Sequence, residues 1–165
     1  MKFIADSMVG TLAKWLRAMG YDVAYDPFLP DRLLMRQARE EGRILLTRDT
    51  RMIMVKDVPP YVFISQDKLE EQIAQVMGEL KLIPDEDKFL TRCIECNGLL
   101  EASAREDIKQ KVPPYVYASQ RSFLMCPGCR RIYWSGTHLP NLKAKLLKLV
   151  EFMNNRRVND RKDGR

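Results

Sequence analysis

Ile44-Leu45-Leu46-Thr47-Arg48-Asp49 joins a short apolar run to an acid, and runs of the same kind lie on both sides of it: Phe3-Ile4-Ala5, Val23-Ala24-Tyr25 and Tyr61-Val62-Phe63-Ile64. Brief apolar runs rich in β-formers read as strands, and the segments between them carry apolar residues at helical spacing. The first such segment, residues 9–19, puts Leu12, Trp15, Leu16 and Met19 on one face and stops at Gly20. The second, residues 31–41, has Asp31 as its expected N-cap and Leu33, Leu34, Met35 and Ala38 inside, and stops at Gly42. A glycine just past the last periodic residue is the usual helix stop, because it accepts a left-handed backbone without steric cost. A third helix is expected from Asp67, where Asp67-Lys68-Leu69-Glu70 has the form of a capping box, through Ile73, Val76, Met77 and Leu80. Strand and helix in alternation predict an α/β fold, a parallel sheet covered by helices.

That pattern ends near Leu82-Ile83-Pro84-Asp85-Glu86-Asp87, where a proline and an acidic cluster interrupt the periodicity. The division expected is therefore residues 1–84 as the α/β domain, 85–142 as a small cysteine-bearing module and 143–165 as a C-terminal helix and basic tail. In the last part Leu142, Leu146, Leu149, Val150 and Met153 give residues 141–153 an amphipathic helical period. Short strands around residues 93–100 and 123–134 suggest a ribbon. Val58-Pro59-Pro60-Tyr61-Val62 recurs as Val112-Pro113-Pro114-Tyr115-Val116, but the flanks do not match, so both copies read as strand entries rather than as a repeat.

The cysteines are Cys93-Ile94-Glu95-Cys96 and Cys126-Pro127-Gly128-Cys129, two C-x-x-C pairs separated by 29 residues. Each such turn brings two thiolates to one metal, and two turns complete a tetrahedral shell that leaves no position for substrate. The spacing therefore predicts a structural zinc, with Asn97-Gly98 and Gly128 as turn-permissive residues. His138 is the lone histidine. It reads first as a hydrogen-bonded structural group and second as an RNA contact. Tyr133 and Trp134 beside Arg130 and Arg131 read either as the ribbon's small core or as a base-stacking surface.

Length and composition agree with a folded protein: 165 residues, 45% hydrophobic and 30% charged, exclude wholesale disorder and a disulfide miniprotein. There is no run of about 18 apolar residues, and Asp6 interrupts any leader-like stretch, so a cytoplasmic location is expected, where thiols stay reduced. The net charge of +6 is uneven. Residues 1–84 hold 12 basic and 12 acidic side chains, residues 85–153 hold 11 and 8, and residues 154–165 hold 5 and 2. A basic half beside a neutral, carboxylate-bearing half suits a polyanion such as RNA, since phosphate contacts supply affinity without sequence information.

Each strand is followed closely by an aspartate: Asp6, Asp26, Asp49 and Asp67. Ligands of open parallel sheets bind outside the carboxyl ends of the strands, so these side chains can meet on one edge. Clustered carboxylates suit magnesium or manganese, which activates water for attack on a phosphodiester. The other reading is an N-cap role, expected for Asp67. Asp6 and Asp49 are the better candidates, with Asp26 or Asp31 completing the set. Lys14 and Arg17 share a helix face and Arg48 adjoins Asp49, so all three are candidates for holding phosphate.

The stretches Phe3-Ile4-Ala5-Asp6, Gly10-Thr11-Leu12-Ala13-Lys14-Trp15-Leu16-Arg17, Gly20-Tyr21-Asp22-Val23 and Ile44-Leu45-Leu46-Thr47-Arg48-Asp49, with the cysteine pairs and Tyr133-Trp134-Ser135-Gly136-Thr137-His138, resemble the Mut-seven C-terminal ribonuclease domain family from residue 2 to about 142. The resemblance implies a PIN-like nuclease domain, metal-dependent cleavage of RNA and an appended zinc ribbon. It assigns Asp6 as the first metal-binding acid and Asp49 as the acid after a later strand. A further acid on an intervening helix is implied, for which Asp31, Glu40 and Glu41 are the candidates. The expectation is a metal-dependent ribonuclease whose ribbon aids RNA binding. The rival is a non-catalytic RNA- or protein-binding adaptor on the same scaffold.

Overall fold

The computed structural model describes residues 1–134 and 138–163, and the side chains of residues 1–134 and 140–155. Four strands, β1 (Lys2–Ala5), β2 (Asp22–Tyr25), β3 (Ile44–Thr47) and β4 (Tyr61–Phe63), form one parallel sheet in the order β2-β1-β3-β4. Helices α1 (Gly10–Ala18), α2 (Asp31–Glu40), the short α3 (Thr50–Ile53) and α4 (Leu69–Glu79) connect and cover them. Side chains on a strand alternate between faces. Phe3 and Ala5 thus join Leu12, Leu16, Ile73 and Met77 on one side, while Ile4 and Leu45 meet Leu34, Ala38 and Met52 on the other. A sheet buried on both faces needs continuous apolar runs, which is why its strands are so plain in the sequence.

The remainder carries β5 (Glu101–Ser103), α5 (Arg105–Ile108), α6 (Pro114–Ser119), β6 (Phe123–Met125), β7 (Ile132–Trp134) and α7 (His138–Asp163). The last three strands, β5, β6 and β7, pair antiparallel in that order. Ile108, Val112, Val116 and Phe123 make a small core of their own, with Ile132 and Trp134 packed against it. Trp134 is therefore core material. The helix α7 extends the 141–153 expectation at both ends, and its Leu146 and Met153 lie in the same buried cluster as Leu12 and Met77. Its packing joins residues 142–153 to the core on that side of the parallel sheet. Among the described residues no helix is long and apolar enough to cross a membrane.

Four expectations about local structure change. The second Val-Pro-Pro-Tyr-Val copy opens a helix, not a strand: Pro114 takes the first helical position, where a missing N–H costs nothing, and Val116 turns into the small core. The first copy is a strand because β3 is beside it, with Leu45 N–H donating to Pro60 O at 2.8 Å. Asp31 is the first residue of α2, whose N-cap is Pro30, and Lys68, not Asp67, is the N-cap of α4. Leu33 is exposed, since the inward stripe of α2 runs through Leu34 and Ala38. Gly20 does end α1, at φ +90°, and a Cβ there would lie 2.5 Å from the Lys88 carbonyl oxygen, so conformation and space both require glycine.

Candidate functional site

The two cysteine pairs meet. All four Sγ atoms lie within 4.8 Å of one another, with Cys96 and Cys126 3.2 Å apart, Cys93 and Cys129 3.6 Å apart, and no disulfide. Four sulfurs at about 2.3 Å from a common centre would be about 3.8 Å apart, so the donor set fits a tetrahedral zinc. Each pair sits in the same hairpin. Cys93 N–H donates to Gly98 O and Asn97 N–H to Cys93 O; Cys126 N–H donates to Arg131 O and Arg130 N–H to Cys126 O. The left-handed residues are Asn97 (φ 70°) and Arg130 (φ 61°), each just after the second cysteine, rather than Gly98 and Gly128. Gly98 matters for room, since a Cβ there would stand 3.0 Å from Cys126 Sγ.

Burial opposes the Cys93 thiolate, but the Tyr133 hydroxyl at 3.1 Å and the Cys96 and Glu95 amides outweigh it and bring the thiol down to about 6. Tyr133 is itself held protonated by burial and by Cys93. Cys96 is pushed up to about 12 by burial and by its sulfur neighbours. Four thiolates so close repel, and a divalent cation among them removes that obstacle. The cluster is consistent with a zinc ribbon, and a metal bound there would stabilise the fold directly.

The first cysteine hairpin is fastened to the α/β domain. Arg17, 1% exposed, donates from Nε to Val23 O at 2.9 Å and from Nη1 to Ile94 O at 3.1 Å and Glu95 O at 2.7 Å. Asn97 accepts from Val23 N–H at 3.0 Å and donates to Asp22 at 2.8 Å. Arg43 completes the network, reaching Asp22 at 2.6 Å, Glu41 at 2.5 Å and Phe3 O at 3.0 Å. The structure thus puts Arg17 to a different use from the phosphate contact expected of it, because its Nε and Nη1 donors are taken by backbone carbonyls. Lys14 is more exposed and reaches Glu95 at 3.1 Å.

At the carboxyl edge of the sheet, Asp6 follows β1 and is 3% exposed. Its Oδ1 accepts from Met8 N–H at 2.6 Å, capping a turn of 3-10 helix, and its Oδ2 accepts from the Thr47 hydroxyl and from Arg48 N–H at 3.2 Å. Thr47 Oγ1 in turn accepts from Asp49 N–H at 2.9 Å, so one threonine on β3 links Asp6 to Asp49. Asp49 caps α3 through Arg51 N–H and binds the Arg51 guanidinium at 2.7 Å; these hydrogen bonds hold its carboxyl below the usual carboxylate range. Asp31 also acts electrostatically on Arg51, whose side chain is 87% exposed. Asp26, after β2, is exposed and accepts from Phe28 N–H at 2.9 Å.

Arg48 reaches Asp67 at 2.5 Å, so Asp67 is an ion-pair partner and not a helix cap. His138 begins α7, but its side chain lies outside the described residues. Among the described residues the four cysteines are the only group of three or more His, Cys, Asp or Glu ligand atoms within 4.8 Å of one another. The edge acids stand in a row rather than in such a group. Arg51 and Thr47 were not singled out by the sequence as site residues, and Asn97 was named only as a turn residue. Thr47 and Arg51 flank Asp49 within two residues, which is the local signal that marks them; Asn97 carries none beyond its place after Cys96.

The Mut7-C RNAse domain model matches residues 1–146. No curated protein and no solved structure matches the chain.

Proposed function

Because the chain belongs to the Mut7-C RNAse domain family, we propose that it is a divalent-metal-dependent ribonuclease working along the carboxyl edge of a PIN-like sheet. The observation that carries this reading is the Thr47 link: one hydroxyl donates to the Asp6 carboxylate after β1 and accepts from the backbone N–H of Asp49 after the adjacent β3, at the edge where ligands of parallel sheets bind. Asp6 and Asp49, with Asp26 or Asp31, offer hard oxygen donors of the kind magnesium and manganese prefer. Such an ion, when bound, lowers the pKa of a water and offsets charge on the phosphoryl oxygens. Arg51 now neutralises Asp49, and its exposed side chain is free to swing away as Asp49 takes a metal. Lys14 and Arg48 exchange their carboxylate partners for phosphate oxygens. The zinc ribbon, His138 and the basic tail add RNA affinity, and the setting is cytoplasmic.

The test is cleavage of a labelled single-stranded RNA with manganese, by the wild type and by an Asp6→Asn, Asp49→Asn double variant purified identically. Asparagine keeps one capping oxygen at each position while removing the charge, but at Asp6 its NH2 faces the Arg48 N–H, so turnover is expected to vanish while the fold is retained at a lower melting temperature. Equal cleavage by both proteins removes these acids from the mechanism. A second reading, the non-catalytic adaptor, is favoured by the hold of Arg51 on Asp49. It predicts RNA binding without cleavage in either protein.

A further inference from the structure

Beside the outer strand β2 lies a cavity of about 630 Å³, bounded by Tyr25, Asp26 and Phe28 on one side, Gln37 of α2 on another, and Arg17 with Glu95 and Asn97 of the first cysteine hairpin on the third. Phe28 is 90% exposed, an uncommon cost for a phenyl ring in a loop that is otherwise well fixed: Phe28 N–H donates to Asp26 Oδ1 and Leu29 N–H to Asp26 O. Nothing in the folding of the domain uses that ring. The cavity also sits next to Asp26, one strand away from Asp6 and two from Asp49 in the order β2-β1-β3, or about 5 and 10 Å along the edge at the usual strand spacing.

We infer that this cavity is a base-binding subsite, in which Phe28 stacks on one unpaired nucleobase of a single-stranded RNA laid across the carboxyl edge. This rests on the ribonuclease reading and adds to it that the substrate is read beside the cut by one splayed-out base. Aromatic side chains stack on any base through its π-face, and the carboxylates of Asp26 and Glu95 line the cavity with acceptors suited to exocyclic amino groups. The acids disfavour a phosphate inside. The backbone stays at the rim, where Lys14, which reaches the lining residue Glu95 at 3.1 Å, is an exposed cation for it; Arg17, which also lines the cavity, is engaged with backbone carbonyls. The hairpin that carries the cysteines thereby becomes one wall of the substrate site.

The experiment measures the binding of fluorescently labelled adenosine and cytidine hexaribonucleotides, without divalent metal, to the zinc-loaded wild type, Phe28→Ala and Phe28→Trp. Stacking contributes about 1–3 kcal/mol per base, so Phe28→Ala is expected to weaken binding about 5- to 150-fold with unchanged melting temperature, and Phe28→Trp to restore it. A hexamer with one abasic ribose at the stacked position should lose as much affinity for the wild type and nothing further for Phe28→Ala. Wild-type affinity in Phe28→Ala overturns the subsite while leaving the ribonuclease reading intact, and turns the acid-lined cavity toward a cationic peptide. Absence of RNA binding by the wild type overturns both.

Discussion

Replacing Arg17 by methionine keeps the length and apolar body of the side chain but removes its guanidinium. Three carbonyl oxygens, of Val23, Ile94 and Glu95, then lose a donor. Hydrogen bonds from charged donors contribute about 1.5–3 kcal/mol each, and a buried acceptor left without a partner costs about 1–3 kcal/mol. Burial, which pulls the Arg17 pKa below its ordinary value, already works against the cation, and its removal returns part of that cost. The net expectation is a loss of about 3–5 kcal/mol, the lost donors to three carbonyls less the burial cost returned. Urea unfolding of the zinc-loaded proteins measures it through the midpoint at constant slope. Zinc release to a chromogenic chelator should also be faster, because Ile94 and Glu95 lie inside the first cysteine hairpin. A variant within about 1 kcal/mol of the wild type, with unchanged zinc release but weakened RNA binding, would refute this account and return Arg17 to the phosphate role.

Two further outcomes follow from named contacts. Burial disfavours the Asp22 carboxylate, yet hydrogen bonds from Arg43 and Asn97 outweigh it and set its pKa below the unfolded value of 3.8. Its contribution to stability is therefore complete above that value and disappears as pH falls through the lower folded one, so Asp22→Asn should flatten the acid limb of stability against pH below about 4; an unchanged limb would disprove it. Gly98→Ala places a methyl 3.0 Å from Cys126 Sγ and should lower stability by about 1–3 kcal/mol and weaken zinc retention, checked by melting with and without added zinc.

The sheet was legible because its chemistry is local. Phe3 and Ala5 face one helical layer and Ile4 the other, so β1 must be apolar throughout, and Gly20 and Gly42 stop helices at positive φ whatever lies around them. The cysteine spacing was legible for the same reason, since each hairpin closes over a few residues. What the sequence hid depends on distant partners. Arg17 looks like an exposed helix cation until Ile94, 77 residues away, is found against its guanidinium. Asp67 has the form of a helix cap, but Arg48 holds it. The Val-Pro-Pro-Tyr-Val copies differ only in whether a strand waits beside them. At the candidate site, the residue types at the strand ends were readable, whereas the Thr47 link and the hold of Arg51 on Asp49 were not.

The way β2 ends the sheet carries a consequence for the protein's solubility. An outermost strand presents N–H and C=O groups that invite another chain to pair with it. Here the N–H and C=O of Val23 are taken by the Asn97 carboxamide and the Arg17 guanidinium, two side chains standing where a fifth strand would lie. Asn97 holds that position only while the hairpin after Cys96 is folded, and metal binding favours that folding. Stripping the metal thus does more than loosen a small module. It is expected to uncover a seam along which one copy of the chain can stitch to the next, so that light scattering should rise when a chelator is added.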